Sequence, residues 1–166
     1  MSLRARLMAR ARRGRVGVWH HPDYAARSLG ATSRVEHVDL HRGDRILGAL
    51  LGEKLLRRVD VRTPPLPSMA QLRAFHSLAY LEAAETPRTL GRIFGLEPDQ
   101  VDVEALLAAS KRAVGGTMAA LHEVASGRLE AAVNLGGGFH HAEPELGSGF
   151  CVFNDIGVGV ADLRRC

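Results

Sequence analysis

Along the chain, short apolar runs alternate with longer stretches in which apolar positions recur at helical spacing. Val16 to Trp19 is one such run, and His20-His21-Pro22-Asp23-Tyr24 turns the chain out of it, so it reads as a short strand followed by a loop. Asp44 precedes Arg45, Ile46, Leu47, Leu50, Leu51 and Leu55, which predicts a core-facing helix with an acidic start. Val59-Asp60-Val61 alternates and is closed by Thr63-Pro64-Pro65-Leu66-Pro67, the pattern of a strand ending in a proline-stiffened loop. Ser68 and Gln71 form a capping box that opens a helix to about Ala84, with Met69, Leu72, Phe75 and Leu78 or Ala79 along one side. Thr86-Pro87 starts another helix that stops near Gly95, and Glu97-Pro98-Asp99-Gln100 is a polar turn. Asp102 caps the longest helix, to about Ser126, which turns Leu106, Leu107, Ala113, Val114, Met118 and Leu121 inward. Gly115-Gly116 at its middle costs helix propensity and predicts a close approach to the sheet. Ala131-Ala132-Val133 reads as a buried strand, and Asn154 or Asp155 caps a last helix from Ile156 to Arg165.

Strand, helix, strand, helix, with no repeats or linkers, predicts one α/β domain with a parallel sheet. Ligands of such sheets bind beyond the carboxyl ends of the strands. That address is occupied by Asn134 to Asp155, NLGGGFHHAEPELGSGFCVFND. Its glycines allow a close approach of backbone to ligand, and His140 with His141 offers acid and base near neutral pH. Cys151 is discounted as a nucleophile, because its apolar segment supplies no cation to lower the thiol pKa. His20-His21 stands beside Pro22 without a thiol or carboxylate cluster and reads as loop, not as a metal site.

Composition changes this picture little. At 166 residues, 46% hydrophobic and 24% charged, the chain is long enough for one core-bearing soluble domain. Its net charge of +4 is local: residues 1–15 hold six of the 22 basic residues, leaving 16 against 18 acidic, a net −2. Leu3, Leu7 and Met8 among those arginines permit a short basic amphipathic helix, with a disordered arm as the favoured expectation. No basic stripe with interleaved aromatics continues beyond it, which argues against a nucleic-acid partner. Cys151 and Cys166 make no disulfide framework and suit the cytoplasm, and no apolar run approaches the length of a membrane span.

Asn134, Gly137, Gly138, His140, His141, Ala142, Gly149, Phe150, Cys151, Asn154 and Asp155 carry a resemblance. The string resembles the active-site segment of the zinc-dependent histone deacetylase family, which includes bacterial acetylpolyamine and acetoin-utilisation relatives. The resemblance implies an arginase/deacetylase-type three-layer α/β/α fold with a parallel sheet. Residues 16–166 would be its truncated N-terminal portion, behind the arm of residues 1–15. It further implies hydrolysis of N-acetyl-lysine or N-acetylated amines. His141 would be the principal base and acid, and His140 would hold the water. Gly149 and Phe150 would line the substrate tunnel, Gly138 and Cys151 would flank its floor, and Asp99 would hold substrate at the rim. Tyr24 and Arg45 would lie in an internal channel, and His76 would be structural. The family's Zn²⁺ ligands, two aspartates and a histidine, come from later segments and are absent here, as are its oxyanion-binding tyrosine and the carboxylates that orient the two histidines. The expectation is therefore a chain inactive alone: a fragment, an interaction module on an open strand edge, or half of a split enzyme whose C-terminal half is supplied separately.

Overall fold

Val16–Trp19 (β1), Val61–Arg62 (β2) and Ala131–Asn134 (β3) pair as one parallel sheet in the order β2-β1-β3, as the alternation of elements predicted. The computed structural model describes residues 15–25 and 41–165; the arginine-rich arm, Arg15 excepted, and Cys166 lie outside them. Trp19 stands opposite both Arg62 and Asn134, so the last residues of the three strands are level. The loops that carry His20-His21 and the glycine run consequently leave the same edge.

Arg42–Gly52 (α1) lies between β1 and β2. The crossover from β2 to β3 runs through Met69–Leu72 (α2), Leu78–Ala84 (α3), Pro87–Phe94 (α4) and Val103–Ala125 (α5), and Asp155–Leu163 (α6) follows the motif. Asp102 caps α5 by accepting the Ala105 N–H at 3.0 Å, a contact worth about 1 kcal/mol. One face of α5 covers the sheet, where Trp19, Ala120 and Leu129 form a small cluster. Its opposite side enters the main core with α2, α3, α4 and α6, around Leu72, Leu90, Val114 and Val158. Val152 and Phe153, at the end of the motif, are buried in that same core. Among the described residues no helix is long and apolar enough to cross a membrane.

Four expectations need correction. The helix foreseen from Ser68 to Ala84 is two, α2 and α3, because Phe75-His76 leave the helical path. His76 is thereby buried, Ser77 donates its N–H to the Pro144 carbonyl at 2.9 Å, and the Ser77 hydroxyl caps Tyr80. Val59 is not in a strand: Arg57 grips Asp60 through two bonds of 2.8 and 2.9 Å, closing a 3-10 turn over Arg58–Asp60 that leaves Val59 78% exposed. Strand β3 is not buried, since Ala131 and Val133 are exposed, whereas the acidic start of α1 holds, with Asp44 in its first turn. Nor does α1 face the core, since Gly43 is its one buried residue and Ile46 is exposed. The close approach at Gly115-Gly116 exists with two partners: a Cβ on Gly115 would strike the Pro65 carbonyl in the proline loop, and one on Gly116 would meet Asn134 of β3 and the Tyr24 hydroxyl, each at 2.7 Å.

Candidate functional site

The site grows out of the last residue of β3. Asn134 is half-buried, and its side-chain oxygen accepts the Tyr24 O–H at 2.8 Å and the Gly136 N–H at 3.3 Å. Its amide nitrogen donates to the Ala113 carbonyl at 2.8 Å and to the Thr117 hydroxyl at 2.9 Å, tying β3 to α5. Tyr24 lies flat enough against the turn that a Cβ on Gly136 would collide with its ring. Burial first, then the Asp155 charge, pushes the Tyr24 phenol well above its ordinary pKa, so it stays a hydrogen-bond donor.

Gly138 has φ +102°, a conformation costly for any residue with a Cβ, and it swings the next residues outward. Two backbone N–H groups then point back at one carboxylate. Asp155, with no exposed surface, accepts from Gly138 at 3.0 and 3.2 Å and from Phe139 at 2.7 Å, and it also accepts the Thr117 hydroxyl. The cap of α6 is Asn154, which accepts the Gly157 N–H at 2.8 Å, leaving the Asp155 side chain free to turn toward the loop.

His140 and His141 follow, both exposed, with ring centroids 4.2 Å apart and planes inclined by 40°. His140 Nδ1 lies 3.0 Å from the Gly138 carbonyl oxygen. Because a carbonyl only accepts, this contact selects the tautomer with the proton on Nδ1 and leaves Nε2 as the basic lone pair. The His141 ring sits over Gly149, where a Cβ would come within 3.1 Å of it, and the His141 carbonyl accepts the Ser148 hydroxyl at 2.8 Å.

The second half of the motif is built differently. Ser148 and Cys151 exchange backbone bonds of 3.2 and 2.8 Å around Gly149 and Phe150, both at positive φ. For Phe150 that conformation costs about 1–2 kcal/mol. The residue is held by its N–H to the Ile93 carbonyl at 3.4 Å and by the Phe94 ring at 6.0 Å. Cys151 is buried, its thiol meets the Gly149 carbonyl at 3.4 Å, and burial raises its pKa, which opposes a nucleophilic thiolate. Tyr80, its phenol pushed up to about 12 by burial, donates to the Val152 carbonyl at 2.6 Å.

Of the other residues singled out in the sequence, Asp99 is exposed in the 3-10 turn Pro98–Gln100, which packs on α4, the helix that also holds Phe150. Arg45 is exposed on α1. His76 is buried, accepts the Asn154 N–H through Nε2 at 3.0 Å, and has its pKa lowered by burial. Behind the glycine loop a cleft of about 370 Å³ opens between α5, β3 and the start of α6, with Thr117, Asn134 and Asp155 among its walls and neither histidine. Among the described residues no three His, Cys, Asp or Glu side chains converge as a metal-holding group.

Sequence reasoning missed Thr117 and the loop-binding role of Asp155. Signals existed for both: Thr117 is a hydroxyl on the inward stripe of α5, one residue before Met118, and Asp155 is superfluous as a cap directly after Asn154.

Residues 36–166 match a family model described as the histone deacetylase domain. Among curated proteins, 120 residues are 32% identical to histone deacetylase 8 of Xenopus tropicalis, covering 67% of this chain and 32% of that protein. The acetoin utilization protein AcuC of Bacillus subtilis is 34% identical over 113 residues, 64% of this chain and 29% of its own length. Histone deacetylase 6 of Arabidopsis thaliana is 28% identical over 155 residues, 87% and 30% respectively. The chain thus spans about a third of the length of the curated relatives it matches.

Proposed function

Because the chain belongs to the histone deacetylase domain family, we propose that it carries the proton-transfer histidines of a deacetylase, a hydrolase of N-acetyl-lysine or another N-acetylated amine. The observation that carries this reading is the exposed His140-His141 pair, its rings in tilted contact at the carboxyl edge of the sheet, with Nε2 of His140 left as an acceptor by the Gly138 carbonyl. In this reading His141 takes a proton from the attacking water and delivers it to the amine nitrogen as the C–N bond breaks, giving acetate and the protonated amine. His140 holds the same water through Nε2. Phe150 and Gly149 flank the aliphatic stem of the substrate, Gly138 and Cys151 face the acetyl group, and Asp99 receives the substrate backbone at the rim. Tyr24 and Arg45 are assigned to an internal channel behind the site.

Zn²⁺ is the metal that family membership implies, and the described residues do not fit it, because no group of three potential ligands converges among them. A second reading rests on β3, whose outer edge has no partner strand among the described residues and is flanked by exposed Val124, Val133, Ile156 and Val160. That face suits further polypeptide of the same domain, in one chain or supplied separately, with the isolated 166-residue chain inactive.

The test is hydrolysis of an acetyl-lysine peptide by a complete domain that contains this segment. His141→Ala should lower kcat by about 100-fold or more with KM little changed. Near wild-type turnover in that variant would remove His141 from its assigned role.

A further inference from the structure

We propose that His76 is a proton-operated latch, which holds the loop between His141 and α6 against the break that separates α2 from α3. Two bonds join these parts: the Asn154 N–H donates to His76 Nε2 at 3.0 Å, and the neighbouring Ser77 N–H donates to the Pro144 carbonyl at 2.9 Å. The first of them reaches far into the loop. Asn154 also donates through Nδ2 to the Ala142 carbonyl at 2.8 Å, so the residue that meets His76 grips the backbone directly after the histidine pair. Phe75, Tyr80 and Phe153 close around the His76 ring, with centroids 4.9, 5.3 and 5.7 Å away, and leave the residue 2% exposed.

An imidazole accepts a hydrogen bond only while it is neutral. With Nε2 as the acceptor, the proton of the neutral ring sits on Nδ1, which is buried and hydrogen-bonded to no partner, although the Glu143 and Pro144 carbonyls lie near. A second proton would go onto Nε2 and face the Asn154 N–H, donor against donor. Among the described residues no carboxylate is turned to the ring to compensate. Tyr80 of α3 commits its hydroxyl to the Val152 carbonyl, Asp155 of α6 turns its carboxylate to Gly138 and Phe139, and Arg73 after α2 and Glu143 of the loop are exposed. The ring therefore takes up the proton by leaving its pocket, and the bond from the adjacent Ser77 to Pro144 goes with it. Burial holds the His76 pKa below the ordinary 6.5, the direction such a latch requires. That the released loop lowers turnover rests on the reading of His140 and His141 as the working pair, while the latch stands without it.

Amide hydrogen exchange of the 166-residue chain, followed by NMR without substrate, tests the latch separately from any hydrolysis. After division by the intrinsic exchange rate, protection of the Asn154 and Ser77 amides should fall by up to about tenfold for each pH unit below 6.5, because the released ring binds one proton. Both amides should be less protected than those of Val114 and Met118 in α5 at every pH, since a latch opens without unfolding the core. In His76→Gln, which still accepts from Asn154 but binds no proton, the two amides should show a level profile. A level profile in the wild type would overturn the proposal, and so would protection equal to that of α5 throughout. An equal fall in His76→Gln would overturn it as well. If that variant does not fold, the wild-type profile decides by itself.

Discussion

Two His-His dipeptides leave the same edge of the sheet, and their surroundings assign them opposite work. His20 directly follows β1, its side chain is 9% exposed, and Nε2 lies 2.8 Å from Asp44 on α1. His21 places Nδ1 3.1 Å from Asp23, which Arg112 approaches at 3.6 Å from the side of α5. His20 thereby fastens β1 to α1, whereas His21 closes its own turn, its Nδ1 also accepting the Asp23 N–H at 3.2 Å. The His140 and His141 rings lie against each other, with a backbone carbonyl on His140 Nδ1 and Gly149 under His141, and both residues face solvent. A histidine is available for proton transfer when one ring nitrogen is oriented by an acceptor and the other is uncommitted.

The comparison breaks most visibly in turnover. In a complete domain, His141→Ala should lose about 100-fold or more in kcat, whereas His20→Ala should change it by about twofold at most. Equal losses from the two variants would erase the distinction. A second test acts on the loop that sets the pairs apart. Gly136→Ala drives a methyl into the Tyr24 ring and should destabilise the fold by about 1–3 kcal/mol, read as a lowered urea midpoint, whereas Gly48→Ala, with open space around its Cβ on α1, should not destabilise. Smaller still is the first pair's own contribution. Asp44 is 44% exposed, so solvent screens it, and Asp44→Asn should cost about 1 kcal/mol or less in the same measurement.

His76 sharpens the contrast through pH. Burial lowers its pKa below the ordinary 6.5, against the neighbouring Pro144 and Glu143 carbonyls, so the folded chain keeps it neutral where the unfolded chain binds a proton. Its contribution to stability is full above pH 6.5 and is lost as pH falls below that value. His76→Gln, which keeps an acceptor for the Asn154 N–H, should flatten the decline of stability between pH 7 and pH 5 in chemical denaturation. An unchanged slope would mean that His76 is charged in the folded protein.

Much of this was written in local chemistry. The caps at Ser68, Thr86, Asp102 and Asn154, the stop at Gly95 and the length of α5 follow from residues a few positions apart, because a helix end is satisfied by its own neighbours. The glycine-histidine string likewise announced its place after a strand, since positive φ and close approach demand glycine whatever the fold. Where local pattern and tertiary contact competed, the pattern lost. Met69, Leu72, Phe75 and Leu78 keep helical spacing across a break that exists so that His76 can be buried under Asn154, 78 residues away. The leucines of α1 have a core-facing spacing on a helix whose single buried residue is a glycine.

By itself, then, the sequence determined the family and the parallel α/β class, because motif spacing and periodicity are properties of adjacent residues. Tertiary structure alone decided which His-His dipeptide is free, that Asp155 turns back to the loop rather than capping α6, and that Thr117 and Tyr24 belong to the same hydrogen-bond chain. Those choices depend on which donors and acceptors are buried together from positions 17 to 131 residues apart, and a buried polar group must find its partner wherever the fold has placed one.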